Sequence, residues 1–251
     1  MSRQQRIQLR PFVLALLAST CLPLEAIADP SGSAIKVTTN AKASGPEGGD
    51  RVLQAPGDIF QGDEIVTDAG GEAQIAFVDN TRFVVGPNSK VTIDDFVFRK
   101  NGTAIDVGVS ALKGSFRFIG GKSPSTVYSV RTPTAAIGIR GTVFDLRIKD
   151  NGETIILWQD GEGWFCVAPV GSTEIPRQPT QCAELTVGDM VVALKQGGFS
   201  VVTDPQQRIE IIKNDMKYAY DQVDLGEEFQ VTDRPEPGPP PGFDEPHSAY
   251  Q

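Results

Sequence analysis

From Ile75 to Phe118, apolar side chains recur at every second position in short runs, and each run stops at Gly, Asp or Asn. Ile75 and Phe77 precede Asp79-Asn80, and Phe83 and Val85 follow on the return, which is the pattern of a hairpin. Val91 and Ile93, then Ile105, Val107 and Val109, then Phe116 and Phe118 continue it. The runs are separated by Gly86-Pro87-Asn88, Asn101-Gly102 and Gly120-Gly121. Period two places alternate residues on one face, and turn signals about every ten residues leave little room for helices. With 26 glycines and almost no helical periodicity, the chain reads as all-β: an antiparallel sandwich, barrel or meander of many short strands.

The last third adds strands at Thr154 to Trp158, Gly163 to Ala168 and Leu185 to Leu194, then changes character. Asp204-Pro205 has the form of a helix N-cap and first turn, and Ile209, Ile212, Met216 and Tyr220 share one face. One amphipathic helix packed on the β core is expected there. From Arg234 a proline-rich run predicts a disordered or polyproline II tail.

Residues 130–148 hold three arginines and several Gly or Pro interruptions in an otherwise apolar strand. Ile137 and Ile139 share one parity, whereas Phe144, Leu146 and Ile148 have the other, so the inward face must change sides between 139 and 144. A β-bulge or tight bend achieves this, with Gly141 best able to adopt the angles required. Pro133 and Gly138 are assigned to the same structural bend, since proline restricts pairing to a strand start, an edge or a bulge. By parity Arg140 lies opposite Ile137 and Ile139. It is solvated, paired with an acid such as Asp145, or displayed to a partner, and Arg131 and Arg140 are the candidate partner contacts.

This stretch closely resembles the closing signature of the FecR domain, the periplasmic domain named after regulators of iron-dicitrate transport. The resemblance rests on Val130-Arg131-Thr132-Pro133-Thr134-Ala135-Ala136, then Gly138-Ile139-Arg140-Gly141-Thr142 and Phe144. Gly62 to Thr67 resembles the family's opening strand. Asp79-Asn80-Thr81, Pro87-Asn88-Ser89 and Gly114 to Phe118 follow in the family's order, with Asp79-Asn80 where Asp-Gly is common. The resemblance covers residues 50–148. It implies an extracytoplasmic β-rich domain for sensing or protein contact, with no catalytic activity. Such regulators join it to a cytoplasmic anti-sigma segment and a membrane span. Here ten residues precede the apolar run, so a detached exported module is expected.

Arg3, Arg6 and Arg10, the uncharged run Pro11 to Leu24, and Ala26-Ile27-Ala28 form a tripartite secretory signal with cleavage after Ala28. Lipid attachment at Cys21 is the minor alternative, and a run of 14 residues is too short to span a bilayer. The protein is therefore expected in the periplasm or secreted. Cleavage would remove three arginines and one glutamate, taking the formal charge from −9 to −11, which disfavours nucleic acid and anionic membranes as partners. Cys166 and Cys182 remain as an even pair, expected to form a disulfide.

No catalytic, cofactor or metal residues are assigned. The sole histidine, His247, lies in the tail, so neither a Ser-His-Asp nor a Cys-His arrangement can be assembled. Asp94-Asp95 point to opposite faces of a strand. The acidic turns Asp150-Asn151-Gly152-Glu153 and Asp160-Gly161-Glu162 lack EF-hand spacing and read as hairpin chemistry. The expected organisation is a signal peptide (1–28), an N-terminal strand or linker (29–49), the FecR-like domain (50–148), a β extension with the disulfide (149–203), a helix (204–225) and a Pro-rich tail (226–251). The expected function is non-catalytic binding of another envelope protein or a ligand in sensing or envelope assembly. A structural envelope or surface protein is the alternative, and a carbohydrate-active or calcium-dependent enzyme comes last.

Overall fold

The computed structural model describes residues 29–38, 40–46, 48–98, 104–121, 128–167, 182–221 and 225–230. The expected signal peptide, the Asn101-Gly102 turn and the chain beyond 230 lie outside them. The strands, in chain order, are β1 (Gly32–Val37), β2 (Ala41–Ser44), β3 (Asp50–Val52), β4 (Gly57–Ile59), β5 (Glu64–Thr67), β6 (Ala73–Phe77), β7 (Arg82–Val85) and β8 (Lys90–Phe98). Then follow β9 (Ala104–Ile119), β10 (Tyr128–Arg131), β11 (Ala135–Ile148), β12 (Thr154–Val167), β13 (Cys182–Leu185), β14 (Met190–Ala193) and β15 (Phe199–Val201). The all-β expectation holds.

The long strands β9, β11 and β12 change neighbours part-way, and this gives the sheet two courses. In the first, residues 114–119 of β9 pair with β7 and with 143–148 of β11, which pairs onward with the start of β12. β6, β1 and β4 extend this course on one side, β14 and β15 on the other. In the second, the N-terminal half of β9 pairs with β8 and, in parallel, with β10. From β10 the pairing passes to 136–138 of β11, the end of β12 and β13. Beyond β8 lie β5, β2 and β3. Pairings β9 with β10, β10 with β11 and β11 with β9 close a ring, so the sheet is barrel-like. β1 and β2, in the stretch expected as an N-terminal strand or linker, are integral to it.

The corners fall where the backbone permits them. At the first, Gly114 has φ +110°, and a Cβ there would stand 2.0 Å from Ser89 Oγ, so glycine is required. At the second, the β11–β12 register shifts on both sides of Val143, next to Gly141, and Gly161 on β12 has φ +74°. The change of parity thereby delivers Ile137, Ile139, Phe144, Leu146 and Ile148 to one core. Across that core Phe83, Phe118, Phe144 and Trp158 are successive cross-strand partners, their ring centroids 6.5, 5.4 and 5.2 Å apart. At the β6–β7 turn Asn80 adopts φ +66°, and the Asp79 carboxylate accepts from Thr81 N at 2.9 Å and Tyr128 Oη at 2.7 Å. Asparagine thus serves where the family often has glycine.

Asp204 caps helix α1 (Pro205–Asn214), its carboxylate accepting from Gln207 N at 2.7 Å. Ile212 and Met216 pack with Ile155, Leu157, Met190, Val192 and Val202 on the outer face of β12 and β14. Ile212 and Met216 of the expected stripe are thereby buried in the chain's own domain. Residues beyond α1 form a second short helix, α2 (Lys217–Asp221). Within the stretch expected as a tail from 226, Glu227–Phe229 form a 3-10 turn, and Phe229 is buried against Val84 and Leu225.

Candidate functional site

The signature segment β10–β11 turns at Thr132 to Ala135. Thr132 N donates to Ala135 O at 2.8 Å, and Thr132 Oγ1 accepts from Ala135 N at 2.9 Å. Pro133 sits exposed in this turn, where its missing N–H costs no ladder bond. Gly138 is not at the bend. It pairs in regular register with Ser129 and Trp164, and a Cβ on it would lie 2.8 Å from Trp164 Cε2. The glycine is there because the indole of Trp164 lies over it.

Val130, Ile137 and Phe165 point into the core, so Ser129, Arg131, Ala136, Gly138, Trp164 and Cys166 face outward by alternation. Trp164 is 46% exposed, whereas Trp158 and Phe165 are fully buried. Arg131 lies one row from Trp164, its Nη1 3.9 Å from Asp94 Oδ2, and Ser110 Oγ donates to the same carboxylate. The backbone of Arg140 pairs with Glu162, but its side chain lies outside the described residues. Asp145, the suggested acid for Arg140, has another partner.

That partner is Arg117, on the outer face of the other course. Arg117 Nε donates to Asp145 Oδ1 at 2.6 Å and Nη2 to Oδ2 at 2.8 Å, with both side chains almost wholly buried. Gln159 Nε2 donates to Asp145 Oδ2 at 2.7 Å, and Arg117 Nη1 to Phe229 O at 3.1 Å. Nearby, Gly226 N donates to Gln74 Oε1 at 3.1 Å, Gln74 donates to Glu72, and Tyr218 Oη donates to Glu72. Lys149 bridges Glu153 of the β11–β12 hairpin at 2.8 Å and Asp215 beyond α1 at 3.1 Å. Burial lowers the Lys149 pKa, but its bonds to Glu153 and Asp215 and their charges outweigh this and raise it above 10.5. Of these residues the sequence singled out only Asp145, as an acid for Arg140, and Glu153, within an acidic turn. Arg117 alternates with Phe116 and Phe118 and therefore reads as solvent-facing, and nothing local announces the segment that covers it.

Cys166 and Cys182 are cross-strand partners on β12 and β13 and form the expected disulfide, sequence separation 16. Reducing it is expected to lower the unfolding free energy by about 3 kcal/mol through the unfolded chain's recovered freedom. Urea unfolding with and without reductant measures this, and coincident midpoints would refute it.

Residues 63–162 match the FecR protein family, spanning β5's start through both corners and the signature. The chain carries a FecR domain. Among solved structures, a cell surface anchoring domain is 32% identical to it, covering 25% of this chain and 83% of that one, with TM-score 0.25. Two structures of a candidate anti-sigma factor from Parabacteroides distasonis are each 14% identical. They cover 64% and 60% of this chain and 65% and 63% of theirs, with TM-scores of 0.44 and 0.42. The chain thus spans just under two thirds of those proteins. No curated protein matches the sequence significantly. The FecR domain accounts for the corner-forming signature; the strands before residue 63 and the segment after residue 162 complete its sheet and cover its outer face.

Proposed function

We propose that this protein is an exported, non-catalytic FecR-domain module that binds another envelope protein in a signalling or regulatory role, using the outer face around Trp164 and Arg131. The observation that carries the reading is Trp164: a half-exposed indole laid over Gly138, one row from the Arg131–Asp94 pair. Large aromatic and arginine side chains dominate interface energies, and a rigidly seated indole loses little entropy on contact. The tripartite N-terminal segment and the disulfide support a periplasmic or secreted location. No cofactor enters this reading.

The test is in vivo cross-linking of the tagged protein in the envelope with mass spectrometry, comparing wild type with Trp164→Ala and Arg131→Glu. Recovery of one envelope protein, reduced at least about tenfold in both variants while their melting temperatures stay within a few degrees, is the expected result. Recovery of only the protein itself or of cell-wall material, insensitive to both changes, would make it a structural envelope protein instead.

A further inference from the structure

We propose that the outer face of β7, β9 and β11 is a peptide-docking groove, filled by the chain's own residues 225–230, which takes a partner peptide that makes the same single turn and carries an aromatic anchor when that segment leaves. This face is separate from the one around Trp164 and does not depend on it.

The floor of the groove, Val84, Arg117, Asp145 and Gln159, lies within the FecR domain, whereas its cover comes from beyond the domain's end at 162. The cover is held in the manner of a bound peptide. Arg117 donates to a main-chain carbonyl, Phe229 O, and Gln74 accepts from a main-chain amide, Gly226 N. Side-chain identity enters through Leu225 and Phe229, which with Val84 form a small buried cluster of their own, apart from the main core. Main-chain bonds supply affinity and an apolar anchor supplies selection, the division of labour common to peptide-binding grooves.

Two features make the cover displaceable. Asp145 takes its two bonds from Arg117 and one from Gln159, all within the sheet, so lifting the cover admits water to paired charges and strands none. The floor also holds a defect: Gln159 is 1% exposed, yet its Oε1 has no hydrogen-bond partner among the described residues. A buried acceptor without a donor is costly, and a peptide able to offer it an N–H would fit the floor better than the chain's own segment does.

The test uses the full-length protein carrying Phe229→Ala and a fluorescent synthetic peptide of residues 222–232. The peptide is expected to bind this variant at least about tenfold more tightly than wild type, because the internal competitor has lost its anchor. The same peptide with the Phe229→Ala change should not bind, and adding Val84→Asp to the protein should abolish binding. Equal binding to variant and wild type, or none to either, overturns the proposal. Should the variant fail to fold, hydrogen exchange of the wild type decides. The Gly226 amide should exchange at least about tenfold faster than core amides of β9 and β11 through local opening. Exchange at the core rate would make the cover a permanent part of the fold.

Discussion

Asp145→Ala is expected to lower the unfolding free energy by about 3–5 kcal/mol, a large share of the stability of a typical domain. The change leaves the Arg117 guanidinium 1% exposed, without the carboxylate that takes its Nε and Nη2 bonds. It also strips the Gln159 amide of its acceptor. A second variant separates the cost of a stranded charge from the worth of the pair. Arg117→Met combined with Asp145→Leu replaces both charges by apolar groups of similar size and is expected to be far less damaging than Asp145→Ala alone. Urea unfolding followed by tryptophan fluorescence measures both. A loss under about 1 kcal/mol for Asp145→Ala would mean that water reaches the pair and the floor beneath residues 225–230 is not dry.

Phe118→Ala is expected to cost about 3–5 kcal/mol through the lost transfer energy of a buried ring and the cavity it leaves. Phe118 is 2% exposed at the centre of the aromatic row, touching Phe83 at 6.5 Å, Phe144 at 5.4 Å and Tyr128 at 5.6 Å between centroids. Its neighbours sit on different strands, β7, β11 and β10, so they are held by separate hydrogen-bonded ladders and cannot collapse far into the void. A double-mutant cycle with Phe144→Ala should show a coupling of about 0.5–1.5 kcal/mol beyond additivity. Additive losses would mean that the rings are neighbours by register only.

The sequence carried the signature segment far. The opposite parities of Ile137 and Phe144 required a change of face, and the structure meets it with register shifts beside Gly141. The helix cap at Asp204, the Asp79-Asn80 hairpin and the Cys166–Cys182 pair were legible for the same reason: each is written in residues close in the chain or in cysteine arithmetic. Gly138 was read as part of the bend because a glycine within a strand is ambiguous. What it makes room for, Trp164, lies on the next strand and is 26 positions away in sequence, beyond any local signal.

What the sequence by itself determined is therefore the alphabet of the fold: all-β, where strands end, which residues face inward, and the FecR kinship of its middle. These follow from side-chain period and backbone stereochemistry, which act within a few residues. What only the tertiary structure decided is which outward faces are truly outward. Arg117 is polar by position yet buried, because Phe229, 112 residues later, is brought over it, whereas Trp164 stays half exposed although its neighbour Phe165 does not. Burial depends on what the rest of the chain lays across a face, and that cover is a long-range contact with no trace in local pattern.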